Sequence, residues 1–145
     1  MIIENPVILV VDDSENDAFL MRVGFQRAGF KDKLQFAVDG EDAIAYLQGQ
    51  GRYGDRTEFP LPSVVLMDLN MPRKNGFEAL EWIRLNPNFK RLNVNILSAS
   101  SRPEDIARAY DLGANSYLLK AGNLDGLVMT AKALLLWFKT SHCAP

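Results

Sequence analysis

The segment VILVVDD, residues 7–13, decides the fold, because five apolar residues without interruption end in two adjacent acids. An unbroken run of β-branched and aliphatic residues is typical of a strand that is buried on both faces of a sheet. A second run, VVLM at 64–67, ends at Asp68, and a third, YLL at 117–119, ends at Lys120. Since ligands bind beyond the carboxyl ends of the strands in an open parallel sheet, these charged side chains predict a site at that edge.

Strand and helix patterns alternate along the chain, which predicts an α/β fold with a doubly wound, five-stranded parallel sheet. Strands are expected at residues 7–11, 34–38, 64–67, 94–97 and 116–119, and helices at 14–28, 40–48, 77–85, 103–112 and 123–139. Ser14 with Asp17, and Ser101 with Glu104, have the spacing of a capped helix start. The segment 49–62 is rich in glycine, proline and charge and predicts a long surface loop.

Length and composition restrict the class of protein. At 145 residues, the chain is expected to form one domain, 1–145, with an extended last helix and no output domain. The net charge of −2 and the lack of a prominent Lys/Arg cluster argue against a nucleic-acid partner. Neither a signal peptide nor an apolar stretch of membrane-spanning length is recognisable, so we expect a cytoplasmic protein without a membrane partner.

The only histidine and the only cysteine of the chain are His142 and Cys143, in the tail. Their scarcity argues against a zinc site of the Cys/His type, a Ser-His-Asp triad and a phosphohistidine relay within this chain. A single cysteine without a partner is typical of a reducing compartment.

The acidic residues Asp12, Asp13 and Asp68 predict a cation site. Three carboxylates at one edge of a sheet need a counter-charge, and a hard cation with oxygen ligands supplies it. Mg²⁺ is typically held by one or two carboxylates together with phosphate oxygens. Lys120 adds a point charge that suits phosphate. These residues therefore predict a site that places a phosphoryl group next to Mg²⁺.

Four motifs in register resemble the receiver domain of two-component response regulators. They are VVDD at 10–13, MDLNMP at 67–72, the pair Ser98-Ala99, and YLLK at 117–120. They follow one another at strand ends with the expected spacing, and the resemblance covers nearly the whole chain. It implies a flavodoxin-like receiver with the strand order 2-1-3-4-5.

The resemblance also implies a role for each site residue. Asp68 would be the phosphoacceptor, which forms an aspartyl-phosphate. Mg²⁺ would be held by Asp13, Asp68 and the main-chain carbonyl of Asn70, with Asp12 assisting directly or through water. Because clustered carboxylates raise one another's pKa, the cation would keep the nucleophile ionised.

Three further residues would complete the reaction and the switch. Lys120 would neutralise charge on the phosphoryl oxygens, Ser98 would donate a hydrogen bond to the new phosphate, and Tyr117 would change rotamer once Ser98 is engaged. One departure concerns Ala121, where the family usually has proline, often after a cis bond. Because a non-proline cis bond costs about 3–4 kcal/mol, we expect a trans bond or a shifted loop, which leaves the position of Lys120 open.

Three short segments resemble a narrower group, the stand-alone receivers paired with cyanobacterial phytochromes. They are YLQ at 46–48, GRY at 51–53 and LWF at 136–138. The resemblance implies that the phosphodonor is a sensor histidine kinase of the phytochrome type.

The last helix carries two apolar stripes, although a surface helix normally has one. The first stripe can pack on the sheet and consists of Leu124, Leu127, Val128, Ala131, Leu135 and Phe138. The second predicts a homodimer interface and consists of Met129, Ala133, Leu136 and Trp137. The alternative is that the long loop or the N-terminus covers it.

We therefore expect a phosphorylation switch that catalyses only its own phosphorylation and dephosphorylation and signals through protein contacts. Three alternatives stay open. A phosphohydrolase of the haloacid dehalogenase type uses an aspartyl-phosphate but needs a second acid where Asn70 stands. A flavin-binding module is disfavoured because the loop after Val11 is acidic. A phosphorylation-independent binding module is disfavoured by the intact acids.

Overall fold

The computed structural model describes residues 6–71 and 73–140, so that His142 and Cys143 lie outside the described part. Five parallel strands form one sheet in the order β2-β1-β3-β4-β5: β1 Val7–Val11, β2 Lys33–Ala37, β3 Val64–Met67, β4 Asn93–Ser98 and β5 Ser116–Leu119. The helices are α1 Glu15–Arg27, α2 Gly40–Gln48, α3 Gly76–Leu85, α4 Pro103–Asp111 and α5 Leu124–Thr140. This topology confirms the predicted fold class and strand order. None of the described helices is long and apolar enough to cross a bilayer.

The sheet is covered on both faces because successive residues of a strand point to opposite sides. On one face, Leu9 and Val11 of β1 belong to a buried cluster that includes residues of α2, α3 and α4. On the other, Ile8 and Val10 belong to a cluster with residues of α1 and α5. Burial on both faces explains why β1 and β3 are continuously apolar in sequence, and it leaves the strand ends as the place where polar groups converge.

The helix starts agree with the sequence in one case and not in another. Ser14 caps α1, and its Oγ accepts a hydrogen bond from the backbone N–H of Asp17, as predicted. The predicted capping box of Ser101 and Glu104 is wrong, because the N-cap of α4 is Arg102, which makes no side-chain cap. Arg102 is extended because the residue before a proline is disfavoured in the helical region, and this sets the start of α4 at Pro103.

The segment 49–62 is not a simple surface loop, which corrects the prediction. Residues Gly51–Gly54 form a 3₁₀ helix whose Tyr53 is buried. The Tyr53 ring packs against the rings of Tyr46 and Phe59, with centroids 4.9 Å and 5.1 Å away. The missed signal was the spacing of these aromatic residues, which lets the segment close over α2.

The two sides of α5 differ as the sequence predicts. The buried face contains Leu127, Ala131, Leu134 and Phe138, of which Leu134 was not in the predicted stripe, while Leu124, Val128 and Leu135 are partly buried. In the second stripe, Met129 is 72% exposed and Leu136 63% exposed, Ala133 is exposed and Trp137 is partly buried. Because segment 49–62 packs against α2, it does not cover this stripe.

Candidate functional site

Three acids meet at the carboxyl edge of the sheet, as predicted. Asp12 and Asp13 follow β1, and Asp68 follows the neighbouring β3, with Val11 and Met67 in register. One carboxylate oxygen from each acid lies within 4.8 Å of the others. Asp12 is buried, Asp68 is partly buried and Asp13 is exposed. We call these three residues the acid cluster.

Backbone amides orient two members of the acid cluster. The N–H of Ser14 donates to Asp12 Oδ1 at 2.9 Å, and the N–H of Leu69 donates to Asp68 Oδ1 at 2.8 Å. Burial raises the pKa of Asp68, and the charge of Asp12 adds to this effect, against the opposing influence of Lys120 and of backbone hydrogen bonds. A bound cation lowers that pKa and offsets the repulsion, so the donor set fits a hard divalent metal.

Lys120 reaches the acid cluster although Ala121 follows it. Its Nζ lies 2.7 Å from Asp12 Oδ2 and 3.5 Å from Asp68 Oδ2, and its backbone N–H donates to the Ser98 carbonyl at 2.7 Å. The described peptide bonds are all trans, so the expectation of a trans bond is correct. Burial acts to lower the pKa of Lys120, but the hydrogen-bonded and nearby carboxylates outweigh it and raise that pKa above its ordinary value.

A fourth carboxylate, Asp17, also binds Lys120, at 2.8 Å from Asp17 Oδ2 to Nζ. From its spacing to Ser14, Asp17 is predicted only as part of the start of α1. The available signal was its position in the first turn of a helix that begins directly after the acidic pair, which places its side chain at the same edge of the sheet.

The two predicted switch residues meet at the same loop. Ser98 ends β4, is fully buried, and its Oγ accepts a hydrogen bond from the N–H of Ser100 at 3.1 Å. Tyr117 is partly buried on β5, and its hydroxyl donates to the Ser100 carbonyl at 2.8 Å. The backbone of Ser100 therefore contacts both side chains, through its N–H to Ser98 and through its carbonyl to Tyr117.

The loop between β3 and α3 carries Asn70, which is exposed beside the acid cluster. Gly76 is required at its end, because a Cβ at this position would lie 2.3 Å from the Asp68 carbonyl oxygen. Arg73 has a left-handed φ of 62° and forms ion pairs with the buried Asp39 and the exposed Glu41. These ion pairs are not predicted from the sequence, because the residues at the start of α2 and those after β3 meet only in the folded chain.

Residues 8–132 match the family model of the response regulator receiver domain. The chain belongs to this family. The match includes the acid cluster, Ser98, Tyr117 and Lys120, and it covers most of the sheet and its helices. The hydrolase and flavin-binding alternatives are therefore set aside.

Individual receivers are similar over nearly their full length. The response regulator Rcp1 of Synechocystis sp. is 36% identical over 135 residues, which are 92% of this chain and 90% of Rcp1. The structure of the Mn²⁺-bound form of Rcp1 has a TM-score of 0.83 at 35% identity. The alignment covers 97% of this chain and 99% of Rcp1. The phosphorylated cyanobacterial phytochrome response regulator RcpA has a TM-score of 0.86 at 31% identity, with 97% of this chain and 99% of RcpA covered.

A third receiver, a response regulator in red light signaling of R. palustris, has a TM-score of 0.89 at 34% identity. The alignment covers 97% of this chain and 98% of that protein. The likeness thus extends over nearly the whole length of both chains.

Proposed function

We propose that this receiver accepts a phosphoryl group on Asp68 from the phosphohistidine of a sensor histidine kinase. The observation that carries the proposal is the placement of the Asp68 carboxylate, partly buried within the acid cluster and 3.5 Å from the ammonium group of Lys120. A carboxylate in such a position is a nucleophile with a counter-charge already in place for the incoming group.

In this reaction, an oxygen of Asp68 attacks the phosphorus of the donor. A phosphorus–oxygen bond forms as the phosphorus–nitrogen bond to the histidine breaks, and the imidazole leaves with the electron pair and is protonated from solvent. Lys120 neutralises charge on the oxygens of the transferred phosphoryl group. The contact with Lys120 also holds that phosphoryl group in line with the attacking carboxylate. Hydrolysis of the aspartyl-phosphate by water then resets the receiver.

The metal proposed for this site is Mg²⁺, held by the carboxylates of Asp12, Asp13 and Asp68 and by the main-chain carbonyl of Asn70. When bound, Mg²⁺ neutralises negative charge on both the carboxylates and the phosphoryl oxygens. The Mn²⁺-bound structure of Rcp1 supports a divalent cation in a related receiver.

The proposed switch uses Ser98 and Tyr117. The Ser98 hydroxyl rotates to donate a hydrogen bond to the phosphate. This rotation breaks the hydrogen bond that the Ser98 Oγ accepts from the N–H of Ser100. The loop at Ser100 then shifts, and the hydroxyl of Tyr117 loses or changes its bond to the Ser100 carbonyl. Phosphorylation shifts the equilibrium between the two conformations of this surface. The size of the shift is limited by the difference in free energy with which the phosphate interacts with each conformation.

The direct test is phosphoryl uptake from acetyl phosphate, followed by intact mass. We expect wild type to gain the mass of one phosphoryl group in the presence of Mg²⁺, and Asp68→Asn to gain none. Asp55→Asn is the matched control, because Asp55 is an exposed acid of the segment 49–62. Equal uptake by Asp68→Asn, or uptake by wild type that a chelator leaves unchanged, contradicts the proposal.

The proposed kinase is of the phytochrome type. Support comes from the likeness to RcpA, described as a phytochrome response regulator, and to the receiver of red light signaling. We expect faster transfer from a phytochrome kinase than from unrelated kinases, and a rate that depends on light. Profiling of purified, phosphorylated kinases measures this preference, and a faster unrelated donor with no transfer from any phytochrome refutes the pairing.

The proposed output surface is a homodimer interface built on the second stripe of α5, which comprises Met129, Ala133, Leu136 and Trp137. Support comes from the exposure of Met129 and Leu136, since apolar side chains of this size favour burial against a partner. Trp137→Ala is expected to raise the dimer dissociation constant about thirtyfold, as truncation of an interface aromatic does. Sedimentation of wild type and variant tests this, and a wild type that stays monomeric with and without phosphorylation contradicts it.

A further inference from the structure

The ammonium group of Lys120 lies between three carboxylates, and one of them is outside the acid cluster. The distance from Nζ is 2.7 Å to Asp12 Oδ2, 2.8 Å to Asp17 Oδ2 and 3.5 Å to Asp68 Oδ2. Lys120 is thus held as closely by Asp17 as by Asp12, and more closely than by the proposed phosphoacceptor. Asp17 is not one of the three acids whose oxygens gather within 4.8 Å.

Asp17 is well placed for a lasting contact. Its backbone N–H donates a hydrogen bond to the Oγ of Ser14, the N-cap of α1, over 3.2 Å. This bond fixes the first turn of α1 directly after the acid pair. Its side chain is 37% exposed, whereas that of Lys120 is only 13% exposed. A cation in the acid cluster competes with Lys120 for the Asp12 carboxylate. The cation does not compete for Asp17, which lies outside the cluster.

A partner outside the acid cluster matters for Lys120 because its other two carboxylate partners, Asp12 and Asp68, both belong to that cluster. The backbone is held by the bond from its N–H to Ser98, but Ala121 and Gly122 follow without a ring or a polar side chain. A lysine side chain is long and has several rotatable bonds, so that an ammonium group held by one carboxylate alone samples many positions.

We propose that Asp17 is a positioning residue for Lys120. It holds the ammonium group at the border of the acid cluster, where Lys120 contacts the phosphoryl group that Asp68 receives. This inference rests on the proposed function, because the reaction that Asp17 serves is the phosphorylation of Asp68. Asp17 acts on that reaction through Lys120.

The test is a double-mutant cycle on the rate of phosphorylation by acetyl phosphate at saturating Mg²⁺. We expect Asp17→Ala to lower the rate about fivefold, as the loss of a partly exposed ion pair does, and Asp17→Asn to lower it about twofold, because an amide oxygen still accepts a hydrogen bond. We expect Lys120→Ala to lower it about 100-fold. In the Lys120→Ala background, Asp17→Ala should have no further effect.

The matched control is Glu15→Ala, which removes an exposed acid from the same first turn of α1 and should leave the rate unchanged. Circular dichroism of each variant verifies folding. An equal loss of rate from Asp17→Ala with and without Lys120 means a general effect on α1 and overturns the inference, as does a wild-type rate in Asp17→Ala. If wild type itself takes up no phosphoryl group, the proposed function fails first, and the role of Asp17 with it.

Discussion

The acid cluster and the segment 49–62 both contain charged side chains, but the two regions satisfy these charges differently. In the segment, the Arg56 guanidinium donates to the backbone carbonyls of Tyr46, Leu47 and Phe59. In the acid cluster, one ammonium group serves several carboxylates, and burial raises the pKa of Asp68. The charged group of the segment 49–62 is satisfied by partners within the protein. The acid cluster keeps an excess of negative charge, which a cation would neutralise.

The two regions thus distinguish residues that stabilise the fold from residues that bind a ligand. A buried polar group with protein partners contributes to stability, because removal of one partner leaves the other unsatisfied. A cluster of like charges lowers stability until a ligand neutralises it. Substitutions in the segment 49–62 should therefore change the free energy of unfolding more than the phosphorylation rate, and substitutions in the acid cluster should do the reverse.

The largest change in stability is expected from Arg56→Ala. The substitution leaves the carbonyls of Leu47 and Phe59 without this donor, while the Tyr46 carbonyl still accepts from the N–H of Gly49. The free energy of unfolding should therefore fall by about 2–3 kcal/mol. Urea unfolding measures this change. Arg27→Ala, which removes an exposed arginine from the last turn of α1, is the control. The phosphorylation rate of Arg56→Ala should stay within about twofold of wild type, and a large loss of rate breaks the comparison.

The second prediction concerns alkaline pH and Tyr46. Burial raises the pKa of this hydroxyl to about 12, and the hydroxyl donates to the Pro60 carbonyl at 2.8 Å. Since the folded pKa lies above the unfolded value, this contribution to stability is fully present below about pH 10 and is lost as pH rises toward 12, by about 2 kcal/mol.

Unfolding of wild type and Tyr46→Phe between pH 9 and pH 12 measures this loss. The phenylalanine variant should be less stable at neutral pH but should lose less stability on the way to alkaline pH. Parallel pH curves for the two proteins would mean that Tyr46 does not titrate with a raised pKa.

The third prediction concerns Mg²⁺ and the acid cluster. A ligand that binds only the folded state at ten times its dissociation constant raises the free energy of unfolding by about 1.4 kcal/mol. Wild type should therefore be stabilised by Mg²⁺, whereas Asp13→Asn should need a higher concentration for the same shift. Thermal unfolding against Mg²⁺ concentration measures both. Arg56→Ala should respond like wild type, since it lies in the other region.

The smallest effect is expected from Asp68→Asn without metal. Because burial and Asp12 disfavour the ionised form of Asp68, its neutral replacement should raise the free energy of unfolding by about 0.5–1 kcal/mol near pH 7. Urea unfolding with a chelator present measures this. Asp55→Asn is again the control, and a loss of stability in Asp68→Asn comparable to that of Arg56→Ala would erase the distinction between the two regions.

Much of the fold and of the site could be predicted because it depends on local patterns. Unbroken apolar runs place strands in the middle of a parallel sheet, and an acid directly after such a run lies at the carboxyl edge whatever the loops do. The positions of Asp12, Asp13 and Asp68, and the exposed stripe of Met129 and Leu136, follow from these periodicities.

Other features could not be predicted, because nearby residues compete for the same role. Ser101 has the spacing of a cap, yet Pro103 keeps Arg102 extended and moves the start of α4. The segment 49–62 has the composition of a surface loop, yet its aromatic residues bury Tyr53 when α2 is beside them. Composition describes what a segment can do alone, and packing decides what it does next to its neighbours.

The order of the elements, and the charges that meet at the carboxyl edge, follow from the sequence alone, because both depend on residues close together in the chain. Which of these charges are in contact depends on how the chain folds. Asp17 and Lys120 are 103 positions apart, and their contact exists because α1 begins, and β5 ends, at the same edge of the sheet. Side-chain partners across such distances are set by packing in three dimensions, which no local pattern records.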